Sequence, residues 1–84
     1  MAKVKVTRKH IKAGTQLSCF SCPIALALQD LGYTDIHVST NRIAFKTDRF
    51  YTIDPPAIAI EFMEEYDDLP WADARELPAF EFDL

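Results

Sequence analysis

The chain has 84 residues, 49% hydrophobic and 26% charged with only two glycines, which fits one ordinary globular domain without a flexible linker. A net charge of −4 and a pI near 4.9 lie far from the basic balance of nucleic-acid-binding domains. Polar residues and Pro23 break the uncharged run from Gly14 to Gln29, so it does not suit a bilayer span and no membrane role is expected.

Met1-Ala2-Lys3-Val4 lacks the apolar segment of a secretory leader. With two cysteines, the expectation is a cytoplasmic protein without a permanent disulfide. The overall charge hides a polarised chain. Positions 1–53 carry eight Lys/Arg against three acids, whereas positions 54–84 carry one Arg against ten acids.

Lys3-Val4-Lys5-Val6-Thr7 alternates with period two and predicts a half-buried strand with Val4 and Val6 inward. His10 to Leu17 reads as a connection. Pro23 suits a first helical position, with Ser21 or Cys22 as cap. Ile24, Leu28 and Leu31 form the helix's apolar stripe, Ala25 and Ala27 permit close packing, and Gly32 sits where a helix ends. Ile36/Val38, Ile43/Phe45 and Tyr51/Ile53 then give three short alternating runs, read as a meander with turns near Asn41-Arg42 and Asp48-Arg49.

Asp54-Pro55-Pro56 opens a second helix with the aspartate as its cap, and Ala59, Phe62, Met63 and Tyr66 make the inward stripe. Trp71 to Glu76 suggests one irregular helical turn. Phe80, Phe82 and Leu84 alternate with Glu81 and Asp83 as a last strand. The predicted order is β-α-β-β-β-α-β, an α+β fold with two helices packed on one mainly antiparallel sheet. Lys3 and Lys5 on the first strand face a matching Glu81 and Asp83 on the last. Opposite charges favour neighbouring strands, so the terminal strands are expected side by side.

Cys19-x-x-Cys22 admits three readings. A dithiol redox site needs a thiol of lowered pKa at a helix start, normally directly after a strand of a βαβ unit, which is missing here. A zinc site needs four ligands, for which only His10 and His37 are available beside Cys19 and Cys22, at irregular spacing. The third reading is a buried small hydrophobe at the helix start with a partly covered neighbour, and it carries the most weight.

Glu61, Glu64, Glu65, Asp67 and Asp68 crowd the C-terminal half of the second helix, where negative charge opposes the macrodipole. Either Arg8, Lys9 or Lys12 folds over this end, or the acids face a protein partner with a basic surface, with Trp71 as an anchor if exposed. A rival reading places a nucleotide or single-stranded nucleic acid on Lys46, Arg49 and Arg42, with aromatic residues interleaved. There is no phosphate-binding glycine loop, nucleophile elbow or H-E-x-x-H. The expectation is a non-enzymatic protein without a cofactor.

Ser18-Cys19-x-x-Cys22-Pro23-Ile24-Ala25-Leu26-Ala27 resembles a segment of short uncharacterised proteins encoded by bacteriophages and prophages. The likeness continues through Pro55, Pro56, Phe62, Tyr66 and Asp67 to Pro78, Phe80, Phe82 and Leu84, while Trp71 to Glu76 is longer than the corresponding turn. No catalytic residue comes with the resemblance. It implies a small accessory protein in an infected bacterium, acting as an inhibitor of a host defence or regulatory factor through the acidic helix.

Overall fold

A computed structural model describes residues 3–84, so the reading of Met1 and Ala2 as lacking a leader lies outside the described residues. The elements, in order, are β1 (Lys3–Val6), α1 (Arg8–Ala13), α2 (Pro23–Asp30), β2 (Thr34–Val38), β3 (Ile43–Lys46), β4 (Phe50–Ile53), α3 (Ala57–Asp68), α4 (Trp71–Ala74) and β5 (Phe80–Asp83). The fold is α+β, and the terminal strands pair antiparallel in the expected charge register, Lys3 opposite Asp83 and Lys5 opposite Glu81.

Two features differ from the sequence expectation. The strands form two sheets, β1-β5 and β2-β3-β4, rather than one. The cause is α2, which packs on β1 and on β2 and so separates the sheets. Its sequence PIALAL suits that position, for Pro23, Ile24, Ala25, Ala27 and Leu28 are all buried. The second difference is α1, where a connection was expected. Thr7 caps it from both sides: the Thr7 hydroxyl accepts from the His10 N–H at 3.4 Å, and the Thr7 N–H donates to His10 Nδ1 at 3.0 Å. This capping box uses histidine where glutamate is usual, which hides it from a motif search.

The buried core runs from Val4, Val6 and Ile11 through α2 to Val38, Ile43 and Phe45, and on to Ala59, Phe62, Met63, Tyr66 and Phe82. The predicted inward stripe of α3 is the observed one. Its cap is not: Pro56 holds the N-cap position with no side-chain hydrogen bond, and Asp54 lies upstream. Two consecutive prolines fix extended backbone there, which displaces the helix start. Gly32 follows α2 at φ +88°, the left-handed conformation that ends a helix.

The meander also forms as read, with Phe45 across from Tyr51 and Ile43 across from Ile53. Its first hairpin closes on Ser39, whose Oγ accepts the N–H groups of Asn41 and Arg42 at 3.3 and 3.2 Å.

Candidate protein-docking site

The site is built by residues 14–22, the loop between α1 and α2, laid across the C-terminal end of α3. Gly14 makes the path possible: a Cβ there would come within 2.7 Å of Pro23 Cδ, so no larger residue fits without a shift. Thr15 N–H donates to the Ser21 carbonyl at 2.8 Å and closes the loop on itself. Cys19 C=O accepts from Val38 N–H at 2.8 Å, which ties the loop to the edge of β2.

Two side chains fasten the loop to α3. Gln16 Nε2 donates to the carbonyls of Tyr66 and Leu69, both at 2.7 Å. These are the orphan acceptors that end every helix, and the last turn of α3 has no basic residue to serve them. Asp67 Oδ1 accepts from Leu17 N–H at 2.9 Å. The pinned Leu17 takes φ +59°, unusual for a residue with a Cβ, and 81% of it is exposed. A left-handed leucine costs about 1–2 kcal/mol, and exposure returns no burial. Strain held in place by surrounding contacts commonly marks a functional surface.

Beneath Leu17 lies a cleft of about 250 Å³ between the loop, the β2–β3 hairpin and α3. Its deep wall is apolar, made by Val38, Phe62 and Met63, with Leu17 and Asp67 among its lining. A shallower groove continues from it, sharing Leu17, Thr40, Met63 and Asp67, and adding Glu61, Glu64, Glu65 and Asp68. All five acids singled out in the sequence therefore line one surface. Glu61, Glu64, Glu65 and Asp68 are exposed and Asp67 is half-buried.

None of these five acids forms an ion pair among the described residues, where the pairs are Lys3–Glu81, Arg8–Glu76, His10–Asp30 and Arg75–Glu76. Arg8 thus leaves α3 for Glu76 at 3.1 Å, while Lys9 and Lys12 stay exposed on α1. Trp71 sits apart from the groove, on the other side of the loop beside Gly14, Thr15 and Gln16. It is 41% exposed and stands edge-on to Tyr66 with ring centroids 6.2 Å apart.

Cys22 is buried at the helix start and Cys19 is its half-buried neighbour, the placement described by the third reading of the motif. Cys22 is buried and caps α2, its Sγ accepting from Ala25 N–H at 3.4 Å. Burial pushes its thiol pKa up, the opposite of what a reactive dithiol needs. Of the four residues weighed as zinc ligands, Cys19 and Cys22 share the cleft, while the two histidines have other neighbours. His10 is held by Thr7 and, through Nε2, by Asp30 Oδ2, whereas His37 stands edge-on to Phe20 at 5.5 Å. Among the described residues no group of three His, Cys, Asp or Glu side chains is placed to hold a metal ion.

The alternative anion site also divides. Lys46 and Arg49 flank the β3–β4 turn, and Lys46 Nζ lies 5.4 Å from the Phe50 ring centre. Arg42 belongs to the β2–β3 turn, at the opposite end of β3. Gln16 and Leu17, which shape the groove, had no sequence signal, because both lie in a stretch without periodicity. Among the described residues, no helix is long and apolar enough to cross a membrane. No protein-family model, no curated protein and no solved structure matches the chain.

Proposed function

We propose that this chain is a non-enzymatic binding protein that docks a basic surface of another protein onto the groove of Leu17, Glu61, Glu64, Glu65, Asp67 and Asp68. The observation that carries this reading is the pairing of an exposed, strained Leu17 with carboxylates left without cations. An apolar projection inside a field of one sign supplies both halves of an interface: charge steers encounter, and the apolar centre supplies affinity. The resemblance to short phage proteins supports a setting in an infected bacterium, with a host defence or regulatory factor as the partner to be inhibited.

The test is affinity capture from a bacterial lysate with three proteins: the unaltered chain, Leu17→Asp, and the triple variant Glu64→Lys, Glu65→Lys, Asp68→Lys. A specific partner held by the unaltered chain and lost by both variants is expected. Equal capture by all three overturns the reading.

A second reading has one observation of its own. Phe50 is 66% exposed with the Lys46 ammonium beside its ring, a pairing that suits a stacked nucleotide or single-stranded base. Quenching of fluorescence on titrating a labelled oligonucleotide, abolished by Lys46→Ala, is its expected signature.

A further inference from the structure

We infer that the cleft beneath Leu17 is a socket for one arginine side chain of the partner, an assignment that rests on the protein-docking reading above. Size is the first argument. At about 250 Å³ the cleft falls below the roughly 300–1,000 Å³ of small-molecule and cofactor sites, and suits a single long side chain.

Wall chemistry is the second argument. Val38, Phe62 and Met63 offer an apolar lining for a methylene stem. Phe62 and Tyr66 also line it, their rings stacked on one another at 5.4 Å and buried, so they extend the apolar wall along which the stem packs. Charge is the third. Asp67 spends Oδ1 on Leu17 N–H, and among the described residues its Oδ2 accepts no hydrogen bond. A planar guanidinium donates there while its remaining N–H groups reach Ser39 or Thr40 at the hairpin. Lysine's compact, strongly hydrated ammonium lacks the planar fork that spans Asp67 and the hairpin together, and a neutral apolar side chain leaves Asp67 facing it unpaired.

The probes are nona-arginine, nona-lysine and an uncharged leucine-containing peptide, titrated calorimetrically into the full chain in about 150 mM salt, near physiological screening. Cys19 is read in parallel with a thiol-labelling reagent, since it lines the cleft half-buried while Cys22 is buried. Nona-arginine is expected to bind about tenfold or more tighter than nona-lysine, the scale of one charge-assisted hydrogen bond. It is also expected to slow Cys19 labelling in step with occupancy.

Asp67→Asn keeps an acceptor for Leu17 N–H but removes the charge, and Cys19→Phe fills the cleft; each is expected to lower nona-arginine affinity about tenfold. Circular dichroism confirms folding, and the labelling result stands on the unaltered chain if a variant fails to fold. Binding with unchanged Cys19 labelling and unchanged affinity in both variants overturns the socket and leaves the acidic docking surface standing. Equal binding of nona-lysine or the uncharged peptide, with protection, overturns the assignment to arginine. No binding of either cationic peptide, even in low salt, overturns both the socket and the docking reading.

Discussion

The terminal sheet and the outer face of α3 handle charge in opposite ways. On β1 and β5 every cation stands across from an acid, and Lys3 Nζ approaches Glu81 Oε1 at 3.7 Å. On α3 five acids share a surface without a cation, although Lys9 and Lys12 are exposed on α1. The shortage is therefore one of placement, not of supply. Where α3 needs donors for its last carbonyls, it receives them from a neutral amide, Gln16. A lysine in that role serves the backbone equally and erases the negative field. The difference teaches that α3's end is given hydrogen-bond donors by a neutral side chain and left unmatched in charge.

Mutations that break the matched region are expected to have the largest effects. Phe82→Ala removes a side chain that is 6% exposed and pairs with Val4, and is expected to cost about 3–5 kcal/mol in urea denaturation. Gly14→Ala forces the loop off Pro23; a loss of about 1–3 kcal/mol is expected, together with faster labelling of Cys19 as the cleft opens.

Tyr66 ties α3 to α1, since its buried hydroxyl donates to the Ile11 carbonyl at 2.9 Å. Tyr66→Phe leaves that carbonyl without its donor and is expected to cost about 1–3 kcal/mol. Burial also pushes the Tyr66 pKa up to about 12 from its ordinary 10. The folded state thus holds a proton that the unfolded state releases, so this stabilisation is full below pH 10 and disappears as pH rises to about 12. Cys22, shifted in the same direction by burial, adds to the alkaline loss. Denaturation midpoints across that range, with Tyr66→Phe showing the shallower decline, check the assignment.

The unmatched region is expected to respond in reverse. The triple lysine variant at Glu64, Glu65 and Asp68 relieves repulsion and complements the helix dipole, raising stability by about 0.5–1 kcal/mol while abolishing capture. Smallest of all, Glu81→Lys breaks an exposed pair and is expected to cost only about 0.2–1 kcal/mol. If the two charge changes move stability in the same direction, the contrast between the regions fails.

Sequence periodicity went far with elements whose burial it encodes. The stripe of α3, the Pro23 start of α2, Gly32 at its end and the meander were all legible, because side-chain spacing and backbone preference point the same way there. The pairing of β1 with β5 was legible from charge alone. The split into two sheets was not, since a helix apolar on nearly every side says that it is buried without saying how many sheets bury it. α1 escaped because its capping box uses His10 and its six residues carry one buried aliphatic residue, Ile11. For the site, the acids were visible as a run, but their neighbour was not. Gln16 and Leu17 acquire meaning only through contacts some fifty positions away, which no local pattern records.

The pairing of Lys3–Val6 with Phe80–Asp83 has a kinetic consequence. During synthesis β1 emerges almost eighty positions before its partner, so it lacks that strand until Phe80–Asp83 has been translated. Closing so long a loop is the slow kind of step that separates high-contact-order folds from helical bundles. The meander and α3, made of nearer neighbours, are available as a partly ordered platform before that closure. The terminal sheet therefore closes only once Phe80–Asp83 is available to β1.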